Sequence, residues 1–127
     1  MENITNTLPY KFEKTEFNCH FKFKRNDITI TGHLPHINNK SASCIVAYET
    51  KKEFFGINLN STHFDRFLDE PIEKVLNGVP MHHEFEGTVF VNFENFFGHF
   101  SKENFQSIIE GLTYITKLYN ECKLKVQ

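Results

Sequence analysis

The chain has 127 residues, of which 39% are hydrophobic and 24% charged, and its formal net charge is -2 at pH 7. This length fits one domain over residues 1–127, and the acidic balance argues against a general nucleic-acid-binding protein. The 15 phenylalanines, with no tryptophan, predict an aromatic core rather than a stacking platform, because a buried phenylalanine has no polar group that needs a partner.

The first half of the chain predicts two β-hairpins. Residues 16–33 alternate apolar with polar side chains on both sides of a central turn, which is the pattern of a half-buried antiparallel pair. Residues 44–59 repeat this pattern around a charged turn at 50–53. We therefore expect four antiparallel strands in this half of the chain.

A broken helix is predicted next. Ser61 or Thr62 can cap a first helical segment, and Pro71 can start a second one, which Asn77 and Gly78 then end. The apolar side of the first segment is predicted to be Phe64, Phe67 and Leu68.

The last third predicts one strand and one long helix. The period-two pattern over residues 84–93 indicates a single strand, and helical spacing after the cap residue Ser101 indicates an amphipathic helix. The strand residues predicted to face inward are Phe85, Gly87, Val89, Val91 and Phe93. The apolar stripe of the helix consists of Phe105, Ile108, Ile109, Leu112, Ile115, Leu118 and Tyr119. The predicted fold class is therefore α+β: an antiparallel sheet of about five strands packed by a long C-terminal helix and a shorter broken helix.

The cysteines bear on the compartment. Cys19, Cys44 and Cys122 are an odd number and widely spaced, which argues against a disulfide framework. Each lies in an apolar periodic stretch and is predicted to be a buried free thiol, as in a reducing compartment. Because no secretory signal and no apolar run long enough to cross a bilayer is present, we expect a soluble cytoplasmic protein with no membrane partner.

Carboxylates are concentrated in residues 62–94, where seven acidic and two basic residues give a net charge of -5. If the broken helix and the following strand are adjacent, these side chains form one acidic surface that attracts a basic partner. The alternative is a solvated acidic face with no partner. The predicted partner-binding residues are Asp65, Asp69, Glu70, Glu73, Glu84 and Glu86.

The residue patterns that usually signal catalysis or a bound metal are missing. His33 and His36 are three apart on a proline loop, and the neighbours His82 and His83 point to opposite sides of a strand. Neither pair is completed by a second close-spaced ligand pair or a His-Glu-x-x-His helix. We therefore expect no metal, no cofactor and no catalytic residue, and a protein that is not an enzyme.

A nucleic-acid surface would use Lys22, Lys24 and Arg25 in the first hairpin. The two lysines alternate with the neighbouring aromatic residues and so face the opposite side of the strand. Because base stacking needs charge and aromatic rings on one side, no nucleic-acid partner is expected.

In general character the chain resembles the small bacterial immunity proteins that neutralise cognate toxins, including those of contact-dependent growth inhibition systems. The shared features are small size, one acidic segment, abundant Phe, Asn and Lys, and no recognisable catalytic residues. The resemblance implies a non-enzymatic inhibitor that binds a toxin domain, for example a basic nuclease. It carries no site residues over to this chain, since such proteins have many unrelated folds.

The alternative function is a small-molecule-binding protein or small enzyme. Its pocket would lie between the sheet and the long helix, be lined by phenylalanines, and have His82, His83 or His99 at its mouth. In either case we expect a monomer, or a weak homodimer built on an exposed strand edge.

Overall fold

In the computed structural model, residues 10–14, 19–36, 40–92, 98 and 100–125 are described. The seven strands are β1 (Tyr10–Lys14), β2 (Cys19–Arg25), β3 (Ile28–Leu34), β4 (Ser43–Glu49), β5 (Glu53–Asn60), β6 (Met81–Phe85) and β7 (Thr88–Asn92). The helices are α1 (Ser61–Phe67), α2 (Ile72–Leu76) and α3 (Lys102–Lys125).

The strands form one sheet in the order in which they occur in the chain, and each is antiparallel to the next. The α+β class, the two predicted hairpins and the long C-terminal helix are confirmed. The sheet is larger than the expected five strands because β1 precedes the first predicted hairpin and because residues 81–92 contribute two strands.

The single strand predicted over residues 84–93 is wrong. Glu86 and Gly87 have φ angles of 49° and 85° and form a two-residue turn between β6 and β7. Across such a turn, an even-numbered residue of β6 pairs with an odd-numbered residue of β7, and paired residues lie on the same face of the sheet. Val89 therefore lies on the same face as Glu84, and it is 53% exposed. Phe85, beside the turn, is 43% exposed, and Phe93 lies outside the described residues.

One face of the sheet carries the hydrophobic core, and the three described helices pack on that face. The predicted stripe of α3 is confirmed: Ile108, Leu112, Ile115 and Tyr119 are buried, and the other members pack against the core. The main buried residues of the sheet are Phe21, Ile28, Ile30, Leu34, Cys44, Val46, Phe55, Ile57, Leu59 and Met81. None of the described helices combines the length and the apolar character needed to cross a bilayer.

The opposite face of the sheet, called the open face below, carries the side chains of alternate residues. His20, Lys22, Ile45, Asn58 and His82 lie on it and are exposed. The expected separation of lysines from core aromatics is thus present in β2, where Lys22 is exposed and Phe21 is buried.

The helical connection between β5 and β6 differs from the expectation at two residues. Asn60, rather than Ser61 or Thr62, caps α1: its side-chain Oδ1 accepts a 2.9 Å hydrogen bond from the Thr62 backbone N–H. Leu68, predicted on the buried side, is 41% exposed because it follows the last residue of α1 and lies outside the buried stripe.

Candidate functional site

The connection between α1 and α2 forms a corner at the surface, which we call the acidic corner: Leu68, Asp69, Glu70 and Glu73. The backbone N–H groups of Asp69 and Glu70 both donate to the Arg66 carbonyl oxygen, at 3.0 and 2.8 Å. Burial of Phe64 and Phe67 from α1 and of Val75 and Leu76 from α2 fixes both helices to the core. The acidic corner is therefore a short connection between two helices that are both anchored in the hydrophobic core.

Two of the four members of the acidic corner are carboxylates without a cation. Neither Asp69 nor Glu73 is within ion-pair distance of a basic side chain in the described residues. Glu70, by contrast, receives two hydrogen bonds from Arg66, at 2.8 and 3.0 Å, and lies 3.8 Å from the Lys74 ammonium. The Arg66 guanidinium holds the pKa of Glu70 below its usual value.

Asp65, the first of the predicted partner-binding residues, contacts α3. Its Oδ1 accepts hydrogen bonds from the Tyr119 hydroxyl at 2.6 Å and from the Lys123 ammonium at 2.7 Å. These two bonds, the one from Lys123 foremost, lower the pKa of Asp65. The Asp65 carboxylate already accepts two intramolecular hydrogen bonds, so it is the least suited of the six predicted carboxylates to bind a partner.

Glu84 and Glu86 lie away from the acidic corner. Glu84 is on the open face, opposite the helices, with its carboxylate 3.4 Å from His82 Nε2. Glu86 is in the β6–β7 turn, with its carboxylate 3.9 Å from the Lys52 ammonium. The six predicted carboxylates are thus divided among four places, and the helical and strand groups do not share one surface.

The histidines of the alternative function are also separated. The His83 ring stacks on Phe55 with centroids 3.9 Å apart, and its Nε2 lies 3.2 Å from Glu53 Oε2. His82 is exposed on the open face, because neighbouring strand residues point to opposite sides. His99 lies outside the described residues.

A shallow depression of about 250 Å³ lies where β5 and β6 separate. Its lining contains no phenylalanine and consists of Gly56, Asn58, Pro80, Met81 and His82. Ligand pockets commonly measure about 300–1,000 Å³, so this depression is small for a metabolite. It also differs in place from the expected pocket between sheet and long helix, where the described side chains form the core.

The described residues contain no gathered group of three or more His, Cys, Asp or Glu side chains that could hold a metal ion. Cys44 is buried as predicted, and burial raises the pKa of its thiol, so the reactive thiolate is suppressed. Cys122 is half-buried, and the Cys19 side chain lies outside the described ones.

Comparison of the chain with models of protein families, with curated proteins and with solved structures finds no match. Function is therefore inferred from the placement of the residues themselves.

Two side-chain groups were missed by the sequence analysis. The Asp65, Tyr119 and Lys123 contact joins residues more than 50 positions apart, which no local pattern reveals. The cross-strand pair of His20 and His33 had a usable signal: a two-residue turn at Asn26 and Asp27 sets the register that makes these histidines direct neighbours.

Proposed function

We propose that the chain is a non-enzymatic immunity protein that binds a cognate bacterial toxin domain in the cytoplasm and neutralises it through the acidic corner. The observation that carries this proposal is the exposure of Leu68 beside two carboxylates, Asp69 and Glu73, that have no cation within the described residues. An exposed apolar side chain close to unpaired carboxylates is suited to a basic protein surface.

The charge state of the corner supports binding at low cost. A partner lysine or arginine can pair with Asp69 or Glu73 without displacing a cation of this chain. Asp65 would first have to give up two short hydrogen bonds, and Glu70 would have to share its carboxylate with Arg66. We therefore place the main electrostatic contacts at Asp69 and Glu73, and Glu70 beside them as a neighbour already partly neutralised.

The packing of the corner supports binding as well. Because both helices are fixed by buried side chains, the backbone that carries the carboxylates is in place before a partner arrives. A preformed surface loses less conformational entropy on association than a flexible segment. Long-range attraction between this corner and a basic toxin domain would raise the association rate.

The proposal is tested with the protein encoded immediately upstream of this chain in its source genome. The C-terminal domain of that protein is expressed in a bacterial host with and without this chain, and growth is measured. We expect the domain alone to arrest growth, co-expression to restore it, and the purified domain to form a complex with this chain.

The matched control is an unrelated toxin domain of similar size and charge, which should remain toxic in the presence of this chain. An upstream gene that encodes no secreted protein contradicts the immunity function. So does an upstream domain that stays toxic and does not bind.

A further inference from the structure

We propose that His20 and His33 form a chelating site for a divalent transition-metal cation on the open face of the sheet. The two residues are directly opposed in the register of β2 and β3. Their ring centroids are 6.2 Å apart, with the ring planes at 73° to each other. No other described pair of histidines occupies directly opposed strand positions.

The distance between the rings is close to that of two imidazoles on one metal ion. A ring nitrogen lies about 2.0–2.1 Å from a bound zinc ion, which puts two ring centres roughly 5 Å apart in a tetrahedral site. The rings therefore need to approach by roughly 1 Å. His20 is exposed, so a small side-chain rotation can supply that movement without disturbing the core.

The surroundings of His33 suit a metal ligand. Its ring makes a hydrogen bond to the Ser41 backbone. A bond of this kind fixes the tautomer and the orientation of metal-bound histidines. Partial burial, together with the nearby His20 and His36, lowers the pKa of His33 and so favours its neutral imidazole. A neutral imidazole is the form that binds metal.

The ligand chemistry selects the class of cation. Imidazole nitrogen favours zinc, nickel and copper, whereas magnesium and calcium prefer oxygen ligands. Because the described residues hold no gathered group of three donors, two imidazoles carry the site and water fills the remaining positions. Such a site is open and exchangeable, unlike a closed structural zinc site.

The test is a titration of the full chain, freed of metal by a chelator, with Zn²⁺ at pH 7.5, followed by isothermal calorimetry. We expect one equivalent to bind, and His20→Ala and His33→Ala each to weaken binding by roughly tenfold or more. The control is His82→Ala, which removes another exposed histidine of the open face and should leave the affinity unchanged.

Circular dichroism verifies that each variant is folded, and His20→Ala, at an exposed position, keeps the test decisive if His33→Ala does not fold. Wild-type affinity in His20→Ala overturns the proposal, and so does an equal loss in His82→Ala, which would mean diffuse binding by surface histidines.

Discussion

Tyr119 and Asp65 tie the long helix to the β5–β6 connection. Burial raises the pKa of Tyr119 to about 12, and the hydrogen bond to Asp65 acts in the same direction. Since the folded state favours the neutral phenol, its contribution to stability is complete below about pH 10 and is lost as the pH rises toward 12. Asp65 behaves in the opposite sense, because its lowered pKa gives stability that is lost as the pH falls below its usual value.

Removal of the Tyr119 hydroxyl tests this contact. Tyr119→Phe should lower the free energy of unfolding by about 1 kcal/mol, because the Asp65 carboxylate keeps access to water. It should also remove a tyrosine ionisation step near pH 12 from an ultraviolet absorbance titration. In a double-mutant cycle measured by urea denaturation, Asp65→Asn should cost less when Tyr119→Phe is already present. Strict additivity of the two changes would show that the bond contributes nothing.

His63 makes the start of α1 sensitive to pH. Its Nδ1 accepts a 3.0 Å hydrogen bond from the Asn60 backbone N–H, which completes a capping box. Burial, and to a lesser degree Arg66, lowers the pKa of His63. The capping contribution is therefore complete above about pH 6.5 and is lost as the pH falls through the lowered pKa, since a protonated Nδ1 cannot accept.

His63→Gln separates this effect from other titrations. Glutamine at this position accepts the same hydrogen bond without titrating. Between pH 7.5 and 5, the wild-type chain should lose about 0.5–1 kcal/mol more unfolding free energy than the variant. The protection factor of the Asn60 amide against hydrogen exchange should fall only in the wild type. Equal pH dependence in both chains would remove His63 from the capping contact.

The close contact between β3 and β4 depends on Gly32. A Cβ atom added at Gly32 would overlap the Ser43 carbonyl oxygen and lie 2.8 Å from both the Cys44 Cα and the Phe21 ring. Gly32→Ala should therefore destabilise the fold by about 1–3 kcal/mol in urea unfolding.

Gly78→Ala is the matched control, because the nearest atom to its added Cβ is the Val75 carbonyl oxygen at 3.8 Å. This change should be close to neutral. If Gly32→Ala were as stable as the wild type, β3 and β4 would have to move apart at little cost in free energy to make room for the added Cβ atom.

Local patterns predicted the elements whose burial follows one period. The stripe from Phe105 to Tyr119 specified α3, and the alternation around the Asn26 turn specified the first hairpin. The β6–β7 hairpin was missed because the apolar residues Phe85, Val89, Val91 and Phe93 all fall on odd positions, as if one strand ran through Glu86 and Gly87. Only the backbone turn at these two residues moves Val89 to the open face.

The sequence identifies the acidic residues of the candidate site, but it does not show which of them share one surface. Charge density marked the acidic segment, and two of its members, Asp69 and Glu73, have no cation among the described residues. Whether a carboxylate is paired depends on distant partners, as with Lys123 at Asp65, and whether it shares a surface depends on strand parity, as with Glu84. Neither property is local in sequence.

The two faces of the sheet carry different functional groups. The helical face buries the core and presents the acidic corner at its surface. The open face carries Lys22, the His20 and His33 pair, and the exposed Ile45. A basic partner steered by charge would therefore approach the helical side, and a metal ion the opposite side.

The proposed binding surface is tested by the rate and affinity with which the domain encoded upstream binds two charge-reversed variants. Asp69→Lys with Glu73→Lys alters the acidic corner. Glu49→Lys with Glu103→Lys changes the net charge equally at exposed positions near the other end of the sheet, where the Glu49 backbone bonds to Asp27.

We predict that the corner variant associates about tenfold more slowly or worse, with weaker salt dependence than the wild type, while the association rate of the control variant remains within about twofold of the wild-type rate. Equal affinity of the corner variant and the wild type for the domain encoded upstream would contradict the proposal that the acidic corner is the binding surface.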